Sequence, residues 1–271
     1  MNKNRSFRDT LKTASAEFRN AMDELRPYVD LEPTDEEKRI LAEVMSQSAC
    51  VIPGFLSSER CAELRAELDR VIQEYDVWTD DVQSDHRVFG IERLSKQMDQ
   101  HYQNDSIVRI LKLHDRSQAC NGFLMGNHVE AKEGNLGSGS GWHRDDSIRR
   151  QTKAILYLSD VTEENGPFEY IEGSHKPLDV VGGVARSWFG YGQNRFTEDE
   201  IAQVLEHQSH KQRTITGEAG TLVFVNTHCI HRGRPIVQGS RYALTHYSWG
   251  DRAIPEHIHK LLNPKPRSQQ S

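Results

Sequence analysis

His143 and Asp145 stand two apart in the polar stretch Trp142-His143-Arg144-Asp145-Asp146-Ser147. On an extended segment, side chains at i and i+2 leave the same face, so an imidazole and a carboxylate stand side by side. They supply two of the three ligands of a facial triad, a donor set that suits six-coordinate Fe(II) with open positions. A His-x-Asp triplet alone is equally a surface loop, so the reading depends on a third ligand. His228, His231 and His246 are the candidates. Along 221–231, alternation puts Val223, Val225, Thr227, Cys229 and His231 on one face, and its apolar members mark that face as inward. That favours His231. Asp146 faces the other side of the strand and drops out.

Arg241 follows His231 across a turn containing Gly233, Pro235 and Gly239. An unpaired buried guanidinium costs several kcal/mol, and a carboxylate held by parallel hydrogen bonds removes that cost. Fe(II), two neutral histidines, one aspartate, one arginine and a dicarboxylate sum to zero charge. The site asks for a dianion.

Ligands this far apart in sequence must be gathered by a sheet. Runs at 122–130, 153–159, 168–171, 213–215, 221–225 and 242–249 read as short strands separated by turn signals, the pattern of an antiparallel sandwich or barrel. The first 115 residues are mostly helical. Phe7, Leu11, Ala14, Phe18, Met22 and Leu25 form an amphipathic stripe ending before Pro27. Thr34 and Glu37 form a capping box, and Ser57 or Ser58 caps a helix with Cys61, Leu64, Leu68, Val71 and Tyr75 on one face. Val51 and Ile52 form a short strand between them, and a further helix is expected at 106–113. Asp80, Asp81 and Asp85 read as a solvated loop. The expected division is a helical extension over 1–48, one domain over 49–262 with its β core at about 117–250, and a flexible tail over 263–271. The aromatic, glycine-containing segment 182–196 reads as a substrate lid, with Trp188, Phe189, Tyr191 and Arg195 as contacts. Arg149 and Arg150 stand where they could meet an anionic substrate group, or form a solvated pair.

Bulk composition excludes other classes. A formal charge of -6 and no long basic run argue against nucleic acid. No apolar run approaches the ~20 residues that span a bilayer. Cys50, Cys61, Cys120 and Cys229 lack CxxC spacing and read as reduced thiols of a cytoplasmic protein.

The ordered set Gly141-Trp-His-Arg-Asp145, Tyr157-Leu-Ser-Asp-Val-Thr-Glu-Glu-Asn-Gly-Pro167, Gly173-Ser-His175, Gly220-Thr-Leu-Val-Phe224, His231-Arg-Gly and Arg241 resembles the phytanoyl-CoA dioxygenase family over about residues 50–250. Val51-Ile-Pro-Gly-Phe-Leu-Ser-Ser-Glu59 looks like the start of that family's domain. The resemblance implies a double-stranded β-helix (jelly-roll) core flanked by helices, and an enzyme using Fe(II), 2-oxoglutarate and O2. It implies His143, Asp145 and His231 as metal ligands, and Arg241 as the residue binding the far carboxylate of 2-oxoglutarate. Several members carry a serine where Gly233 stands, so Tyr157 or Thr245 is expected to supply the missing hydroxyl. His128 and Glu130 match positions that often face the cavity, and are equally a solvated strand face. The implied reaction is C–H hydroxylation of a small, polar or anionic molecule, with 2-oxoglutarate converted to succinate and CO2. Retention of Asp145 argues against halogenation. Desaturation, cyclisation or epoxidation would use the same cofactors. A cupin-like metal sensor would not need Arg241, and a zinc hydrolase would need a catalytic base that is not apparent.

Overall fold

The computed structural model describes residues 3–28, 31–207 and 211–267. Its first half contains α1 (Lys3–Glu24), α2 (Asp35–Gln47), β1 (Ala49–Ile52), α3 (Ser58–Glu74), β2 (Trp78–Thr79), β3 (Asp85–Phe89), α4 (Lys96–Tyr102), α5 (Asp105–Asp115) and β4 (Gly122–Glu130). The second half contains β5 (Thr152–Tyr157), β6 (Phe168–Ile171), α6 (Pro177–Ala185), α7 (Glu198–His207), β7 (Gln212–Ile215), β8 (Leu222–Asn226), β9 (His231–Gly233), β10 (Ser240–Ser248) and α8 (Glu256–His259).

The strands pair antiparallel in a major sheet, β1-β8-β5-β10-β4-β3-β2, and a minor sheet, β7-β6-β9. Val223, Val225, Tyr157 and Ala243 of the major sheet pack against Phe168, Tyr170 and Ile215 of the minor one. This is the double-stranded β-helix. Strand alternation explains the layering: Leu124, Leu156, Leu222 and Leu244 point the other way, into a core shared with Leu64, Leu68, Ile107 and Leu111 of the helices. The Thr34–Glu37 capping box forms, and Ser57 caps α3. No helix among the described residues is long and apolar enough to cross a membrane.

Three elements depart from the sequence expectation. Asp85 is buried on β3, bonded to Arg87 and Asn127, rather than in a solvated loop; Asp80 instead caps the Ser84 and Asp85 amides. Residues 265–267 are anchored, since Asp76 N donates to Lys265 O at 2.7 Å and Arg267 N to Glu74 O at 2.7 Å; the tail from 268 lies outside the described residues. Helix α1 buries Thr13, Ala16, Glu17 and Asn20 and leaves its predicted apolar stripe exposed.

Buried neutral histidines make the fold acid-sensitive. Burial pushes His101 down to about 4, His175 to about 3 and His246 to about 3, from an ordinary 6.5. These folded values lie below the unfolded one, so between about pH 6.5 and 3 the unfolded chain binds protons that the folded chain refuses. Stability is therefore present above pH 6.5 and declines as pH falls, by up to ~1.4 kcal/mol per pH unit for each histidine. Thermal unfolding midpoints should drop steeply between pH 6.5 and 4.5. A flat profile there contradicts the assignment.

Candidate metal centre

His143 and His231 face one another across a hydrogen-bonded antiparallel pair. His143 N donates to His231 O at 2.8 Å, and His231 N donates to His143 O at 2.9 Å. Directly opposed residues project to the same face, which sets the two ring centroids 4.3 Å apart. Asp145, two residues on, brings Oδ1 to 3.8 Å from His143 Nε2 and Oδ2 to 3.5 Å from His231 Nε2. One ligand atom from each of the three lies within 4.8 Å of the others.

Backbone carbonyls set the ring orientation. His143 Nδ1 lies 2.9 Å from Gly141 O, and His231 Nδ1 lies 3.0 Å from Cys229 O. Only a protonated Nδ1 satisfies a carbonyl, so both Nε2 lone pairs are left for a metal. Burial, and His231 beside it, push His143 down to about 3, so its ring is neutral at physiological pH. Burial alone would raise Asp145, but Lys153 and the two imidazoles hold it well below the usual carboxylate range. The glycine loop permits this approach. Gly139 has φ +89°, and a Cβ there would sit 2.2 Å from the His143 ring.

The triad opens onto a cavity of about 220 Å³ between the sheets, also lined by Arg87, Asn127, Lys153, Tyr157, Arg195, Arg241 and Thr245. Arg241 is buried at the start of β10, where its guanidinium donates to Gly166 O and to Asn127 Oδ1. Its Nε has no hydrogen-bond partner, and among the described residues no carboxylate pairs with it. Burial lowers its pKa. A buried cation with an orphaned donor fits a dicarboxylate. Two imidazole Nε2 atoms and one ionised carboxylate likewise fit a divalent iron.

Lys153 escaped the sequence reading, which saw only a strand start. It lies inward on β5, with Nζ 2.7 Å from Asp145 Oδ2 and 4.0 Å from the centre of the Tyr247 ring. The contact is an ion pair. Burial opposes its charge, but Asp145 and Tyr247 outweigh burial and raise its pKa. Arg87 was missed with β3, whose Asp-His-Arg-Val-Phe sequence shows little apolar alternation because its inner face meets a polar cavity.

The other predicted site residues are spread more widely. Tyr157 lines the cavity, but its hydroxyl donates to Ile215 O at 3.0 Å and accepts from Phe168 N at 3.2 Å. Thr245 lines it too. At Gly233 a Cβ would lie 2.7 Å from Ser138 Cβ, so Ser138 fills the space of the expected serine. Arg195 lines the cavity and donates to Gly139 O and Ser140 O. His128 and Glu130 do not. Strand parity turns His128 to the outer face, its ring stacked 3.9 Å from Tyr242 and 3.8 Å from Glu130. Arg149 lies in separate clefts beside α1, its amide held by Asp146 Oδ1.

His228 and His246 are not part of the triad. His228 is buried between Asp146 O at 2.9 Å and Glu17 Oε1 at 3.0 Å, and His246 stacks on Tyr102 on the outer face. His231 is reached differently from the expected alternation. The strand ends at Asn226, residues 227–230 turn, and His231 begins β9 in the other sheet.

The segment 182–196 meets the cavity through Asn194 and Arg195, while its largest aromatic side chains pack elsewhere. Trp188 and Phe189 are buried with Trp142, Val184, Phe196 and Ile201, and Tyr191 lies near Lys12 of α1. Phe189→Ala is therefore expected to cost about 3–5 kcal/mol of stability, read by denaturant unfolding, with little change in substrate KM. A KM effect without loss of stability would restore the lid.

Three solved structures share this fold. EctD from S. alaskensis matches with TM-score 0.61 and 18% identity, over 83% of this chain and 82% of that one. The non-heme alpha-ketoglutarate-dependent epimerase SnoN from nogalamycin biosynthesis matches with TM-score 0.57 and 18% identity, over 78% and 81%. HygX from Streptomyces hygroscopicus, with nickel and 2-oxoglutarate bound, matches with TM-score 0.56 and 18% identity, over 82% and 89%. No curated protein matches the chain. The phytanoyl-CoA dioxygenase (PhyH) profile, however, matches residues 47–241 across the triad and Arg241, and the chain belongs to that family.

Proposed function

We propose that the protein is an iron(II)- and 2-oxoglutarate-dependent oxygenase that hydroxylates an unactivated C–H bond of a small anionic molecule. The reading rests on one observation: His143, Asp145 and His231 converge in a cavity that also receives Arg241, a buried cation with no acidic partner among the described residues. Bound iron and 2-oxoglutarate supply O2 activation and oxidising power, with succinate and CO2 as by-products. The two Nε2 atoms and the Asp145 carboxylate hold the metal, and Arg241 holds the distal carboxylate. Arg87, Lys153 and Arg195 line the same cavity; Asp85 pairs with Arg87 and Asp145 with Lys153, which leaves Arg195 without an ion-pair partner among the described residues. That unbalanced charge supports an anionic substrate. Incubation with Fe(II), 2-oxoglutarate, O2 and a metabolite panel should give succinate release stimulated by anionic compounds over neutral analogues. Turnover surviving without O2 contradicts the proposal and favours a metal hydrolase.

A second reading keeps the cofactors and changes the outcome. The fold relatives include an epimerase and a carbocyclase, SnoK. Mass analysis of the product separates a gain of one oxygen from a loss of two hydrogens, as in ring formation or desaturation, and from the unchanged mass of an epimer.

Lys153 acts here as a positioning residue. Its ammonium holds Asp145 Oδ2, leaving Oδ1 free to turn toward His143. Lys153→Met should weaken Fe(II) or Mn(II) binding by about 10–100-fold, the usual cost of losing an outer-shell partner, with recovery in Lys153→Arg. Unchanged metal affinity contradicts this role.

A further inference from the structure

Helix α1 is amphipathic with its sides reversed. Its inner face docks through polar contacts: Glu17 lies 3.0 Å from His228 Nε2, Asn20 Nδ2 donates to Ile148 O at 3.0 Å, and Glu24 pairs with Arg150. Its outer face exposes Phe7 by 68%, Leu11 by 55%, Phe18 by 67% and Met22 by 49%, and Leu25 just past its end by 76%. Singly scattered apolar residues need no explanation, but a continuous stripe does.

The spacing of the stripe points to what covers it. Phe7, Leu11, Ala14, Phe18, Ala21 and Leu25 follow steps of 4-3-4-3-4. That is a coiled-coil seam, narrower than the broad apolar face of a helix lying in a membrane interface. The series also reads the same in both directions about residue 16. We infer that α1 is a homodimer interface, paired antiparallel with α1 of a second copy. A two-fold axis near residue 16 sets Phe7 against the partner's Leu25, Leu11 against the partner's Ala21, and Ala14 beneath the partner's Phe18. Bulk thus meets space, and one patch serves both copies as a two-fold interface requires. Two phenylalanines about two-thirds exposed, with Leu11, Leu25 and, beside the seam, Met22, have the apolar area to form the centre of a small interface. Arg8, Arg19 and Arg26 run along one flank of the stripe. In an antiparallel pair each flank meets its own counterpart, so cations face cations and added salt tightens the dimer.

Sedimentation velocity of the full-length protein across a concentration series tests this directly. The expected result is a dimer that strengthens with salt. Phe18→Glu, placed twice in each dimer, should raise its dissociation constant at least ~30-fold, with an unchanged circular-dichroism spectrum. Leu11→Cys chains mixed with Ala21→Cys chains should crosslink on oxidation, while Leu11→Cys alone should not. A monomer at every concentration overturns the inference. So does a dimer indifferent to Phe18→Glu, a Leu11→Cys self-crosslink, or a monomer that instead co-sediments with phosphatidylserine vesicles.

Discussion

His231→Ala is expected to abolish 2-oxoglutarate turnover and to weaken Fe(II) binding by more than the ~10–100-fold that outer-shell partners cost. The reason is geometric. His231 contributes a ring whose Nδ1–H is fixed on Cys229 O, so its Nε2 is presented without a rotamer search. Alanine leaves Asp145, still held by Lys153 2.7 Å away, and His143 as a two-point site. His231 is buried at the start of β9, but its backbone pair with His143 does not involve the side chain, so the fold should persist. Isothermal titration with Mn(II), alongside thermal unfolding, separates metal loss from misfolding. Wild-type metal affinity in a folded His231→Ala protein contradicts the assignment.

Arg241→Met is the second large effect, and it should split two observables. Losing one partner of a buried, hydrogen-bonded charge pair costs about 2–5 kcal/mol, or roughly 30- to 5,000-fold in 2-oxoglutarate affinity. Without 2-oxoglutarate the same substitution removes a buried cation that has no ion-pair partner among the described residues. Methionine removes the cost of burying that charge but leaves Gly166 O and Asn127 Oδ1 without their donor, and the two effects oppose one another. The expected variant therefore has a modest change in unfolding midpoint and a large loss of 2-oxoglutarate binding, with metal affinity kept. Equal losses in stability and binding would instead make Arg241 a structural residue.

Local chemistry made much of this site legible in the sequence. His143 and Asp145 share a short extended stretch, and motif order placed Arg241 after His231. Helix caps at Thr34 and Ser57 were readable because capping is a local hydrogen bond. The route to His231 was not readable. Alternation was carried through 221–231, whereas the chain leaves β8 at Asn226 and re-enters the opposite sheet. Tertiary hydrogen bonds from Ile230 N to Ser174 Oγ and between the backbones of His143 and His231 hold that crossing, and neither leaves a periodic trace. Lys153 and Arg87 were invisible for a related reason: inward charges break the apolar alternation by which a strand is recognised. In segment 182–196 the sequence does not separate a lid from packing, because large apolar side chains among glycines look alike whether they meet a ligand or pack under α7. The amphipathic stripe of α1 is legible in the sequence, but periodicity gives a face and not what that face meets.

Anaerobic titration of the metal-free protein with Fe(II) and 2-oxoglutarate tests the central claim most directly, because it reads metal and dicarboxylate together without needing the substrate. The account predicts a visible charge-transfer absorption that saturates at one equivalent of each, is absent in His143→Ala and Asp145→Ala, and needs far more 2-oxoglutarate in Arg241→Met. No band in the wild-type protein, or the same band in the His143→Ala and Asp145→Ala variants, would contradict it.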